Sequence, residues 1–206
     1  MIHFLLRFRQ ALFSPIQKIQ LYMQPRMIKG EHALLDLVDV LKEKHLTHYM
    51  IVTTPGFIKR GTLQSFFDAL NQNDIQYSIF HDLKPDPEIC DVEKLKEVFI
   101  KEHCQALIAI GGGSVIDCSK AALACVQMKN LDVKTVLHTG RVSKPLPLLI
   151  AVPTTAGTGS EVTAGAVITD PIQKRKYALS HLFLIPKYAV LDASLLTSLP
   201  SKMTAY

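Results

Sequence analysis

Two short stretches combine residue types and spacings that could do chemistry. The first is Gly111-Gly112-Gly113-Ser114, set between the apolar run ALIAI (106–110) and a helical pattern that begins near Val115. Glycines let backbone N–H groups approach an anion with no side chain in the way. A helix N-terminus adds unpaired donors and a partial positive charge. Together they make a phosphate cradle. Ser114 has the type to cap the helix or to bond a phosphate oxygen. Asp117 favours the helix dipole but would repel a phosphate, so it is read as tying down the loop rather than touching ligand. The competing reading is a tight strand-to-helix turn without ligand; three consecutive glycines lose chain entropy without packing gain, which weighs against it. The second stretch is Pro153-Thr154-Thr155-Ala156-Gly157-Thr158-Gly159-Ser160-Glu161, whose four hydroxyls and two glycines make a ribbon of donors suited to a sugar or a nucleobase edge. Its competing reading is an irregular connection whose threonines cap neighbouring backbone.

Regular elements must hold these loops, and the apolar pattern supplies them in alternation. Residues 31–44 predict a helix, with Leu34, Leu35, Val38 and Leu41 on its inner face. Residues 48–53 predict a strand, 57–70 one helix, 75–80 a strand, and 89–103 a helix with Val92, Leu95 and Phe99 inward. The strand at 106–110 is followed by the glycines and a helix through Met128. Further strands are expected at 146–152, 162–169, 177–184 and 188–191, with turns at Asp170-Pro171 and Pro186. Apolar strands alternating with helices imply a parallel sheet covered on both faces, a doubly wound α/β domain whose ligands sit beyond the carboxyl ends of the strands. A cap at Ser201 opens a helix that has one turn by Tyr206, which leads to the expectation that the polypeptide continues.

The chain has 206 residues, 48% of them apolar and 20% charged, a globular mixture that excludes disorder and collagen-like repeats. The four cysteines (Cys90, Cys104, Cys118, Cys125) have no CxxC spacing, so reduced thiols in a cytoplasmic setting are expected. No run reaches the roughly 18 uninterrupted apolar residues of a membrane span, so an integral membrane segment is not expected. The net charge of +5 comes from residues 1–30, where Arg7, Arg9, Lys18, Arg26 and Lys29 precede the first acid, Glu31. From Glu31 onward 18 basic residues face 18 acidic ones, and a neutral body argues against nucleic acid as partner. In the basic arm, Ser14-Pro15-Ile16-Gln17 has the pattern of a capped helix start, with Phe4, Phe8, Leu12, Ile16 and Ile19 near one face. Arg7 and Arg9 interrupt any secretory signal. A helical extension docked on protein, a membrane-surface helix and an organelle-targeting peptide stay open for it.

GGGSVIDCSKA (111–121) and PTTAGTGSEVT (153–163), with LDASLLTSLPSKMTA (191–205) downstream, resemble the iron-containing (group III) alcohol dehydrogenase family. The nine-residue PTTAGTGSE string distinguishes this chain from the related glycerol dehydrogenases and dehydroquinate synthases, which keep the fold without it. The resemblance spans about residues 25–206. It implies a Rossmann-like, dehydroquinate synthase-like N-terminal domain over 25–200, a basic amphipathic extension over 1–24, and the start of a helical metal-binding domain over 201–206, the rest of that C-terminal domain being absent. It also implies an NAD- or NADP-dependent, metal-dependent alcohol dehydrogenase or aldehyde reductase acting on a small alcohol or aldehyde, of which this chain is the cofactor-binding half. The pyrophosphate would lie against Gly112, Gly113 and Ser114. Thr154, Thr155 and Thr158 would contact the adenosine and ribose portions, Lys176 a ribose hydroxyl, and Leu195 the adenine.

Three departures from the family pattern carry expectations. NAD-preferring members have an acidic residue where Ile51-Val52-Thr53-Thr54 has Thr54. Losing that carboxylate removes repulsion toward a 2′-phosphate, and Lys59 and Arg60 are close in sequence, so NADP is expected to be accepted at least as well as NAD. Asp86, in Lys84-Pro85-Asp86-Pro87, replaces a frequent asparagine near the cofactor and would alter ribose contacts. The family's metal ligands, one aspartate and three histidines, begin beyond Ala205. No metal ligand and no catalytic residue is therefore assigned within the chain, and iron or zinc is expected only in the full-length protein. Little dehydrogenase activity is expected of the chain alone. The lack of its partner domain predicts an exposed apolar patch, and a homo-oligomer is compatible with it. The alternative is a naturally short, non-catalytic nucleotide-binding or interaction module.

Overall fold

The computed structural model describes residues 24–197. The basic arm, its proposed helix start at Ser14 and the expected helix from Ser201 lie outside them. Six strands form one parallel sheet: β1 (Arg26–Gly30), β2 (His48–Val52), β3 (Gln76–Phe80), β4 (Ala106–Gly111), β5 (Leu148–Pro153) and β8 (Tyr188–Asp192). Their spatial order is β1-β8-β5-β4-β2-β3. Two further strands, β6 (Gly165–Asp170) and β7 (Arg175–Ser180), make a separate antiparallel hairpin.

Both faces of the sheet are covered, as expected of a parallel sheet. Alternation along β4 divides the core: Leu107 and Ala109 face one cluster, and Ile108 and Ile110 the other. On one side pack α1 (Ala33–Lys42), α2 (Pro55–Lys59) and α3 (Gln64–Gln72), through Leu37, Leu41, Phe57 and Phe66. On the other pack α4 (Ile89–Lys101), α5 (Gly113–Gln127) and α6 (Val133–Thr139), through Leu95, Phe99, Leu123 and Val136. The hairpin closes over α5, burying Ile168, Tyr177 and Leu179 in that second cluster.

The topology selects one crevice. Strand β2 has its chain successor β3 on one side and β4 on the other, so the connections leave in opposite directions from β2 and β4. Ligands of open α/β sheets bind beyond the carboxyl ends of the strands at such a switch point. There β4 ends in Gly111 and β2 in Val52.

Several expected elements differ in detail. The single helix over 57–70 is two, α2 and α3, separated around Gly61, which takes φ 65° where a left-handed backbone favours glycine. Leu35, expected inward, is 38% exposed, and Leu37 is buried in its place. The strand expected at 162–169 begins only at Gly165, and the one at 177–184 runs from Arg175 to Ser180, then becomes a 3-10 turn at Leu182–Leu184. Strand β1 and helix α6 were not anticipated. Asp132 starts α6 by accepting the Thr135 N–H at 2.8 Å, a cap type the sequence did carry. A last short helix, α7, covers Ser194–Thr197. The large apolar side chains left exposed among the described residues (Met27, Leu35, Ile79, Ile100, Val167, Ile172) are on different elements.

Candidate functional site

At the end of β4 the chain turns directly into α5. Gly112 is the extended N-cap residue and makes no side-chain cap, while Gly113 and Ser114 open a helix of 15 residues. Unpaired N–H groups of this first turn therefore face the crevice beyond β4. The glycines have separate spatial reasons. A Cβ on Gly111 would be 2.5 Å from Val115 Cγ2, so helix and strand meet too closely there for any side chain. A Cβ on Gly112 would be 3.2 Å from Thr155 Oγ1, and one on Gly113 would be 3.2 Å from both Ser160 Oγ and Thr158 Cβ. The two loops singled out by residue type thus pack against each other, glycine backbone against hydroxyl side chains. The Thr154 N–H donates to the Gly111 carbonyl at 3.0 Å and continues the β4–β5 pairing into the loops.

The hydroxyls are not equivalent. Thr155 Oγ1 is buried and has no hydrogen-bond partner in the protein; a buried polar atom of that kind is rare unless something else satisfies it. Thr154 is 2% exposed, and Thr158 Oγ1 accepts weakly from the Ser160 N–H at 3.5 Å. Ser114 does not cap the helix. Its Oγ accepts the Asp86 N–H at 3.3 Å, which leaves its own O–H proton to donate.

Asp86 connects this turn to the hairpin. It adopts φ 62°, a left-handed conformation that Asp and Asn tolerate better than most residues, which gives a physical reason for either at this position. Its Oδ1 accepts from Lys176 Nζ at 2.8 Å and from Thr169 Oγ1 at 3.2 Å. The Lys176 hydrogen bond, together with the lysine charge and Thr169, holds the Asp86 carboxyl below the ordinary carboxylate range. Both partners are more than half exposed, so the pair is worth little to stability. Lys176, expected at a ribose hydroxyl, is thus held at the rim by Asp86.

Thr54 follows β2 and is the extended N-cap residue of α2, where its side chain makes no cap bond. Beside it Thr53 is fully buried, with Oγ1 unpartnered. Lys59 and Arg60 are both exposed, and the Arg60 guanidinium is 5.1 Å from the centre of the Phe57 ring. Leu195 belongs to another part of the core. It is 4% exposed within the α1–α3 cluster and lines a cavity of about 250 Å³ with Leu34, Phe66 and Asp192.

Asp117 ties down structure as expected, but what it ties is the hairpin: Oδ2 accepts the Val167 N–H at 3.0 Å. Burial pushes its carboxyl above the ordinary range, against that hydrogen bond and the nearby Lys120 charge. Sequence reasoning passed over Lys120, a fully buried lysine on α5. The available signal was a lysine three residues beyond Asp117, among Cys118, Ser119, Ala121 and Ala122. The cysteines are unpaired, and burial pushes the Cys104 thiol up to about 11 and Cys125 up to about 12, which removes them as nucleophiles near neutrality. Among the described residues no three His, Cys, Asp or Glu side chains are grouped to hold a metal ion, and no helix is long and apolar enough to cross a membrane. A divalent metal therefore does not fit the described residues.

Fold and site together define a class: a doubly wound α/β domain with a glycine turn opening a helix at its switch point. The chain belongs to the iron-containing alcohol dehydrogenase family, whose sequence profile matches residues 24–193. It is 31% identical over 193 residues to the choline dehydrogenase of Bacillus subtilis (strain 168), covering 92% of this chain and 48% of that protein. With alcohol dehydrogenase 4 of Schizosaccharomyces pombe it shares 34% identity over 178 residues, 85% of this chain and 42% of the relative. Among solved structures it is similar to the sulfoacetaldehyde reductase of Bifidobacterium kashiwanohense in complex with NAD+, at TM-score 0.78 and 32% identity, over 87% of this chain and 48% of that one. The chain spans about half the length of the curated relatives it matches.

Proposed function

We propose that this chain is the dinucleotide-binding half of an NAD- or NADP-dependent oxidoreductase that interconverts a small alcohol and its aldehyde. One observation carries the reading: the α5 N-terminus and the Thr154–Ser160 ribbon abut at the switch point, with Thr155 Oγ1 buried and unpartnered between them. The solved relative named for its NAD+ complex supports the ligand class. When bound, the nicotinamide ring supplies hydride acceptance and donation. This chain's residues bind and orient. The N–H groups of Gly113 and Ser114 face the pyrophosphate oxygens, helped by the helix dipole, and the Ser114 O–H donates to one of them. Thr155 Oγ1 gains the partner it lacks. Thr154 and Thr158 line the adenosine side, and the Asp86–Lys176 pair sits at the ribose rim. Holding the cofactor this way fixes the trajectory of the reacting carbon and removes bulk water from around the phosphates. Leu195, packed in the core, serves the adenine only through the wall of its cavity. The groups that activate the alcohol lie outside the described residues, and the unpaired cysteines support a cytoplasmic setting.

Titration calorimetry of the chain with NAD and NADP tests the proposal. At least one should bind, and NADP at least as well as NAD; absence of heat from both would sink it.

Thr54 carries the preference. Thr54→Asp should weaken NADP relative to NAD by about tenfold, because a carboxylate near the 2′-phosphate adds roughly 1.4 kcal/mol of like-charge repulsion. An unchanged ratio of the two dissociation constants would remove Thr54 from the ribose site.

A further inference from the structure

We infer that Lys120 is a positioning residue that sets the width of the crevice between the glycine turn and the hydroxyl ribbon. Its Nζ donates to the Thr163 carbonyl at 2.7 Å, to the Gly165 carbonyl at 2.8 Å and to Thr163 Oγ1 at 3.3 Å. These acceptors lie where the ribbon ends and β6 begins, whereas Lys120 lies two turns along the helix whose first turn is Gly113-Ser114. One ammonium therefore ties the exit of one loop to the helix that carries the other. Asp117, one turn nearer the glycines, holds the next part of the hairpin through the Val167 N–H. Between these ties and the glycine turn, Thr158 and Ser160 approach the space beside Gly113 to 3.2 Å. A slack ribbon would open that gap.

The side chain of Lys120 is fully buried, and no carboxylate among the described residues forms a salt bridge with it. The charged groups acting on it are Asp117 on its own helix and Glu161 from the ribbon, while β6 offers carbonyl oxygens. Burial lowers its pKa to about 8, with those two carboxylates opposing. A cation kept in such a place without a salt bridge is expensive for the fold. The tie it makes to two carbonyls of one loop exit gives a reason for keeping it.

This inference rests on the cofactor reading only for its consequence, so its test has an arm without ligand. In hydrogen exchange on the 206-residue chain, Lys120→Met should raise the exchange of the amides of residues 155–163 about tenfold or more, while Ile108 and Ile110 of β4 stay protected. In calorimetry the same variant should weaken NAD or NADP about tenfold, with a lowered melting temperature because the Thr163 and Gly165 carbonyls lose their donor, and Lys120→Arg, which restores the cation and its donors, should recover most of these effects. Unchanged loop exchange in Lys120→Met overturns the positioning role. So does loss of β4 protection in both variants, which would make Lys120 a residue of the core instead. If the wild-type chain binds neither cofactor while the loop exchange responds, the tie stands and the dinucleotide reading falls.

Discussion

Gly113→Val should abolish dinucleotide binding while leaving the chain folded. The new side chain starts 3.2 Å from Thr158 and Ser160, and its methyl groups must occupy the gap between the two loops or displace one of them. Either outcome removes N–H donors from the pyrophosphate. Losing about two hydrogen bonds to a charged group, at roughly 1.5–3 kcal/mol each, corresponds to a weakening of about 100-fold or more. The fold should tolerate the change. Gly113 does not take a left-handed backbone, and the new side chain meets side-chain atoms of Thr158 and Ser160 in a loop rather than sheet backbone. Gly113→Ala should fall between wild type and valine, since a single Cβ narrows the gap without filling it. Wild-type affinity in Gly113→Val, measured by calorimetry beside a melting curve, would place the pyrophosphate elsewhere.

The largest effect on stability is expected from Asp192→Ala. Asp192 ends β8, is 3% exposed, and accepts the Leu34 N–H at 2.9 Å, the Ser194 N–H at 2.9 Å and the Ser194 hydroxyl at 2.6 Å. The N-cap residue of α1, His32, is left-handed and supplies no side-chain cap, so a carboxylate from the far end of the sequence does that work. Alanine strands the Leu34 donor at a buried helix end. The loss should be about 3 kcal/mol, or roughly 6–12 °C in melting temperature for a chain of this size. The effect should depend on pH with a definite sign. Burial works against the charged form of Asp192, but the hydrogen bonds from Ser194 and Leu34 prevail and hold its pKa below the usual value. Its contribution is therefore present above the unfolded carboxyl pKa of about 3.9 and is lost as pH falls through the lower folded value. The gap in melting temperature between wild type and variant should be full at pH 7 and should shrink in strong acid. Equal melting temperatures at pH 7 would show that α1 needs no cap from β8.

The glycine turn and the hydroxyl ribbon were legible in the residues because their chemistry is local. A phosphate cradle needs backbone without side chains directly before a helix, and a polar ribbon needs hydroxyls among small residues. The apolar runs at 106–110 and 146–152 likewise carried their place at the centre of the sheet, since strands buried on both faces read as continuous apolar segments. Strand β1 was missed for a complementary reason. RMIKG, at the sheet edge, is half-buried at one residue only and pairs with a single neighbour, β8, far away in sequence. The split between α2 and α3 depended on one glycine entering the left-handed region, which apolar spacing does not report.

What residue type and order determined on their own was the kind of protein: a parallel α/β domain, its family, and the two loops proposed to hold the cofactor. Tertiary contacts decided how those parts meet. The fit of Gly112 and Gly113 against Thr155 and Thr158, the hold of Asp86 on Lys176, the cap that Asp192 gives α1 and the grip of Lys120 on the loop exit all join residues about 40 to 160 positions apart. Periodicity describes which way a side chain faces within its own element. It holds no information on which distant carbonyl or amide will stand opposite, because that follows from sheet order and helix packing, which long-range burial selects.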